Sequence, residues 1–277
     1  MLELEYKMTN DILFKMYFTK NQKLLKRFVS DLLGISERKI EEFVITNPEI
    51  PPENLGEKFC RLDINMIVDG EHILLEIQVA KDKFYVERSM YYWAREFSSS
   101  LMEGQDYNML PKTIMINILG FNWFEDPNKI HSEFKMLEAN TFELLSDKCE
   151  IHYFELPKLT ELSSIDRMKW LWLKLFSAKT EEEMTALENS EEKIMKTAVK
   201  AYRRVVSSSE LREMERLRLK ASHDEATALK VAAEAAAKEA AKRVRDEKDA
   251  EIAALALEKD TIIAALRAEL DRNKSDS

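Results

Sequence analysis

The sequence predicts an α/β fold: a mixed β-sheet flanked by helices, continued by a long C-terminal helical extension. Three observations carry this expectation. Apolar runs of strand length alternate with helical stripes as far as Pro157. The dipeptide Asp69-Gly70 sits between two such runs, a strong hairpin signal because both central positions of a type I′ turn need positive φ. All five glycines and all six prolines lie at or before Pro157, so the remainder lacks the strongest turn punctuators. The expected division is a mixed domain over 1–178 and a charged, Ala-rich helical extension over 179–277, the boundary falling near 178–190.

The elements follow in order. "MTNDILFKMYFTKNQKLLKRFVSDLLG" reads as helical, with Leu13, Phe14, Tyr17 and Phe18 on one face, Thr9 or Asn10 as its cap and Gly34 as its stop. "EEFVITNPEIPP" is a short strand that ends in a proline loop. "CRLDINMIVDGEHILLEIQVAK" is the hairpin. "YVERSMYYWAREFSSSLMEG" is a helix with an apolar stripe through Met90, Trp93, Ala94, Phe97 and Leu101, closed near Gly104. "KTIMINILGF" is a strand buried on both faces. "HSEFKML" and "CEIHYFEL" are weaker strands. "SSIDRMKWLWLKLFSAKT" is a helix docked through Trp172 and Phe176, and Thr180 with Glu183 spells a capping box. From about Ser209 the Ala, Glu, Lys, Arg and Leu content predicts a rod of roughly 90 Å at 1.5 Å per residue. Its large apolar residues are few. Ile252, Leu255, Ile262, Leu266 and Leu270 form a narrow stripe at coiled-coil spacing, interrupted by Lys259. That stripe supports either a self-associating or partner-binding helix, or a solvated one that frays.

Charge narrows the function. Of the net charge of −9, residues 191–277 carry 18 acidic and 19 basic side chains, so residues 1–190 hold a net −10. An acidic front half disfavours electrostatic adhesion to nucleic acid or anionic membrane, and a phosphate-bearing substrate would need a divalent metal at its site. No apolar run approaches the roughly 18 residues of a membrane span. The first residues lack the pattern of a secretion signal, and Cys60 and Cys149 stand alone, which together predict the cytoplasm. The four histidines, His72, His131, His152 and His223, show no zinc-hydrolase spacing, and no Gly-rich phosphate loop is present.

The hairpin holds the chemistry. With Asp69-Gly70 as the turn, Val68 faces Glu71, Met66 faces Ile73, Ile64 faces Leu75 and Leu62 faces Ile77; the other face pairs Ile67 with His72, Asn65 with Leu74, Asp63 with Glu76 and Arg61 with Gln78. This register sets two carboxylates opposite each other, their Cβ atoms about 5 Å apart. Like charges so placed must raise a pKa or share a cation. Two hard oxygen ligands suit Mg²⁺ or Mn²⁺. Gln78 points to the same side, placed to orient an attacking water.

Asp63, Glu76 and Gln78 on adjoining strands after a helix resemble the PD-(D/E)xK nuclease superfamily, with its restriction-endonuclease-like fold. More closely, the chain resembles the recombination-promoting nuclease and transposase (Rpn) family through Asn10-Asp11, Phe14-Lys15 and Phe18, then Leu62-Asp63, then Glu76-Ile77-Gln78. Tyr91, Tyr92 and the stretch Tyr107–Pro111 also fit, over about residues 8–160. The resemblance implies a divalent-metal-dependent DNA endonuclease linked to recombination or mobile elements. Asp63 and Glu76 would hold the metal, and Gln78 would take the position that lysine occupies in much of the superfamily. Glutamine lacks lysine's charge, so Lys81 or Lys83 downstream would compensate, or turnover is slow. Asp11 is an auxiliary acid candidate, equally explained as a first-turn residue complementing the helix dipole, and Lys15 is a candidate to steer phosphate. The alternative is a catalytically weakened nuclease-like module that binds DNA or protein and assembles through its C-terminal helix.

Overall fold

The computed structural model describes residues 2–46, 49–50, 60–61, 63–160 and 165–275. Asn10 opens the first helix, its side-chain oxygen accepting the Leu13 N–H at 2.8 Å. Helix α1 (Asp11–Lys20) buries Leu13, Phe14, Tyr17 and Phe18, and α2 (Gln22–Leu33) buries Leu25 and Phe28 and stops at Gly34 in the left-handed conformation. Phe18, Phe28 and Phe176 pack ring against ring, Phe18 on Phe28 at a centroid separation of 5.1 Å.

The strands are β1 (Phe43–Thr46), β2 (Glu49–Ile50), β3 (Cys60–Arg61), β4 (Ile64–Val68), β5 (Glu71–Gln78), β6 (Thr113–Leu119), β7 (His131–Leu137) and β8 (Leu144–Glu155). Six of them form one mixed sheet in the order β1-β4-β5-β6-β8-β7, while β2 and β3 pair separately. β5, β6 and β8 run parallel at its centre, and the remaining pairings are antiparallel. All seven residues of β6 are buried, as its unbroken apolar run predicts.

Asp69 and Gly70 both have positive φ, +50° and +79°, and the β4–β5 ladder pairs Ile64 with Leu75 through Val68 with Glu71, in the expected register. The expected pairing of Arg61 with Gln78 does not form. Arg61 belongs to β3 and faces Glu49, and Gln78 lies beside Leu119 of β6. The β4 strand begins at Ile64 because Asp63 turns its backbone N–H into a side chain, as described below; Leu62 lies outside the described residues.

Helix α3 (Tyr85–Ser99) covers one face of the sheet. It buries Tyr85, Ser89, Trp93 and Glu96; of the expected stripe Trp93 is buried and Phe97 packs against the same core, while Met90 and Ala94 are exposed. The sheet face beneath it is partly polar, and the helix turns its polar groups inward to match. Ser89 Oγ lies 2.6 Å from the Tyr153 hydroxyl, Tyr85 donates to Asn117 at 2.9 Å, and Glu96 accepts from Asn65 at 3.0 Å.

On the opposite face one hydrophobic core joins the sheet with α1, α2 and three later helices: α4 (Arg167–Ser177), α5 (Glu181–Glu188) and α6 (Lys193–Val206). Trp172 and Phe176 are buried, and the Trp172 indole donates to Asp31 at 2.8 Å. The Thr180–Glu183 capping box is present. Met184, Leu187, Met195, Val199 and Tyr202 all join this core, and the Tyr17 hydroxyl reaches the Ala198 carbonyl at 3.2 Å. The first compact unit therefore runs from Met1 to Met214, beyond the expected division near 178. Helix α7 (Ser209–Ser275) makes up nearly all of the second unit, Glu215–Ser277. Along it Ile252, Leu255, Ile262 and Leu266 are exposed, and the side chain of Leu270 lies outside the described residues. Among the described residues no helix is long and apolar enough to cross a membrane.

Candidate active site

The mouth of the hairpin replaces ladder hydrogen bonds with side chains. The Asp63 backbone N–H donates to Glu76 Oε2 at 3.0 Å, and the Ile77 N–H donates to Asp63 Oδ2 at 2.8 Å. Each acid thus grips the backbone of the other's strand, which fixes both carboxylates side by side on the α3 face of the sheet. Both are largely withdrawn from water: Glu76 is 8% exposed and the Asp63 side chain 9%. Burial is the main cause that pushes Glu76 up to about 8, and the neighbouring Asp63 charge adds to it. Burial also raises Asp63, against the Ile77 amide and Lys15, which pull it down.

Lys15 reaches from α1 to Asp63, Nζ to Oδ1 at 3.3 Å. Asp11, exposed at the start of the same helix, acts on Asp63 through its charge, which disfavours ionisation there. Lys81 turns elsewhere: its ammonium donates to the Asn122 carbonyl at 3.0 Å and lies 5.4 Å from the centre of the Trp123 ring. Gln78 has both ends of its amide engaged. Its Nε2 donates to the Ala80 carbonyl at 2.7 Å, and its Oε1 accepts from Arg88 at 2.8 Å.

Arg88 is the residue that sequence reasoning missed. It lies one turn into α3, held by Gln78 and by Asp82 at 3.1 Å, and its guanidinium sits 5.0 Å from the centre of the Tyr85 ring. Its charge favours ionised Glu76. The available signal was the position: an arginine in the first turns of the helix that follows the acidic strand, with a carboxylate six residues earlier at Asp82 to hold it. Tyr85 is buried against Glu76, and burial raises its hydroxyl well above the ordinary value, so it stays a hydrogen-bond donor, directed at Asn117.

The donor set fits a divalent cation. Two hard carboxylates lie together out of water, and the proximity of each makes ionisation of the other costly, a penalty that a bound cation removes. The anchored oxygens, Asp63 Oδ2 and Glu76 Oε2, keep the pair in place without one.

Comparisons with known proteins place the chain in a family. No curated protein and no solved structure matches the chain. The profile of the PD-(D/E)XK nuclease family transposases matches residues 8–232, which includes both acids, Gln78, Arg88 and every helix of the first compact unit. With an acidic pair at the mouth of a hairpin, a mixed sheet flanked by helices and a family match over most of its length, the chain belongs to the PD-(D/E)XK nuclease family transposases.

Proposed function

We propose that the protein is a divalent-metal-dependent DNA endonuclease that hydrolyses phosphodiester bonds, acts in the cytoplasm, and serves DNA recombination or the movement of mobile elements. The observation that carries this reading is the reciprocal lock between Asp63 and Glu76, which holds two buried carboxylates together so that ionising both is costly unless a cation joins them. Mg²⁺ or Mn²⁺ is the ion that suits an all-oxygen pair of this kind, and when bound it would neutralise the acids and polarise the scissile phosphate.

The protein's own side chains supply the remainder. Arg88 brings the positive charge that glutamine lacks at position 78, and Gln78 acts as its bracket. A guanidinium matches two phosphate oxygens at once and stays charged at any working pH, so it stabilises charge that develops on the phosphate. Lys15 balances Asp63 and presents a second cation on the side of α1. Self-association through the exposed Ile252–Leu266 stripe of the C-terminal helix would bring two chains into one assembly.

The test is incubation of the full chain with supercoiled plasmid in Mg²⁺, Mn²⁺ or EDTA, beside Asp63→Ala and Glu76→Ala. Nicking or linearisation in metal alone, lost in both variants, is the expected result. Plasmid binding without cleavage in wild type would instead support the weakened, DNA-binding module.

A further inference from the structure

The other face of the sheet carries a second group of ligating side chains, remote in the strand order from the acidic pair. Glu133 of β7 and His152 of β8 are direct cross-strand partners, and Glu150 precedes His152 by two residues on the same face. One ligand atom from each of the three lies within 4.8 Å of the others. His152 is 4% exposed, yet its Nε2 has no hydrogen-bond partner; Glu150 Oε2 lies 3.6 Å away. A buried polar nitrogen without a partner is uncommon and calls for an explanation.

The surroundings of the imidazole explain what is missing. Its Nδ1 lies 2.9 Å from His131 Nε2, and the two rings stack. When Nδ1–H donates to His131, the Nε2 lone pair faces the two carboxylates with no donor to accept. This is the arrangement in which a second imidazole fixes the tautomer and direction of a metal-binding histidine. Lys135 reaches Glu133 Oε1 at 2.7 Å and Glu150 Oε1 at 3.3 Å, and Lys112 reaches the same Glu150 Oε1 at 2.9 Å. The lysines therefore gather on one oxygen of Glu150 and leave the other, Oε2, turned to His152.

We propose that Glu133, Glu150 and His152 bind a borderline divalent transition ion of the Zn²⁺ class, with His131 orienting His152 from behind. A mixed imidazole and carboxylate set favours such an ion over Mg²⁺, which takes oxygen ligands and keeps its waters. Three protein ligands leave one coordination position open. The ion would clip β7, the edge strand, to β8 just before the bulge at Lys135–Met136, where the pairing register shifts.

Calorimetric titration of the full chain tests this, in an Asp63→Asn/Glu76→Gln background that removes the acidic pair. One Zn²⁺ per chain is expected, with no comparable heat from Mg²⁺. His152→Ala and Glu150→Gln should abolish that binding, and His131→Phe should weaken it by about 10- to 100-fold. Lys135→Met should tighten it, because the ammonium competes for the same carboxylates. Should His152→Ala fail to fold by circular dichroism, Glu133→Gln at the exposed carboxylate and Lys135→Met carry the test. Absence of Zn²⁺ binding in folded protein, or an affinity unmoved by these variants (an adventitious ion only), would overturn the proposal.

Discussion

Glu76→Gln is the perturbation most informative about the acidic pair. The amide keeps an oxygen to accept the Asp63 N–H but cannot ionise, so it removes charge and leaves shape. In the native protein burial and Asp63 push Glu76 from 4.5 up to about 8. Below pH 4.5 native and unfolded chains both hold the proton, and the stability that Glu76 contributes is fully present. Between pH 4.5 and 8 the unfolded chain releases the proton while the native chain keeps it, so stability falls as pH rises, and above about 8 the loss is complete. At about 1.4 kcal/mol for each tenfold change in proton affinity, the total is on the order of 5 kcal/mol. Urea unfolding in EDTA at fixed pH from 4.5 to 9 measures it. The variant should gain on the wild type steadily, from little difference at pH 4.5 to about 5 kcal/mol at pH 8.5. Millimolar Mg²⁺ at pH 8.5 should restore much of the wild-type loss and leave the variant unmoved, since a ligand of the native state stabilises by mass action. Parallel pH profiles for the two proteins would refute the reasoning, because they would mean that Glu76 titrates alike in both states.

Other outcomes follow from the same geometry. Arg88→Ala should slow single-turnover plasmid cleavage by about 10²- to 10³-fold at saturating Mg²⁺ with plasmid binding little changed, and Arg88→Lys should recover part of the loss; a rate close to wild type in Arg88→Ala would remove Arg88 from the chemistry. Truncation after Met214 keeps the whole first compact unit, so it should fold and run as a monomer in light scattering while the full chain assembles; the same subunit number for both would remove the helix as an assembly device.

Local signals made parts of this fold readable. The hairpin register followed from two positions that need positive φ, flanked by strands whose apolar faces admit one alignment, and Asp69 and Gly70 take those values. β6 was readable from its unbroken apolar run, and the Thr180 cap from its spacing to Glu183. What escaped depends on partners distant in sequence. Hydropathy put Met90 and Ala94 beside Trp93 and Phe97 on the buried face of α3; Trp93 is buried, but Asn65, Asn117 and Tyr153 present polar groups that turn Tyr85, Ser89 and Glu96 inward in place of Met90 and Ala94. The division near 178 followed composition, whereas α5 and α6 have apolar faces that complete the core around Leu4, Phe14 and Tyr17. At the site, the proximity of Asp63 and Glu76 was legible from the register, but their capture of backbone amides was not. Arg88 was hidden because its role arises from a helix folding back over the strand that ends at Gln78.

The central claim is that Asp63 and Glu76 together grip one divalent ion. Anomalous diffraction from crystals grown with Mn²⁺ tests it most directly. A manganese peak within coordination distance of both carboxylates, absent from Glu76→Gln crystals, is the predicted result. Crystals of active protein with no peak between the two acids, or with manganese bound only elsewhere, would contradict it.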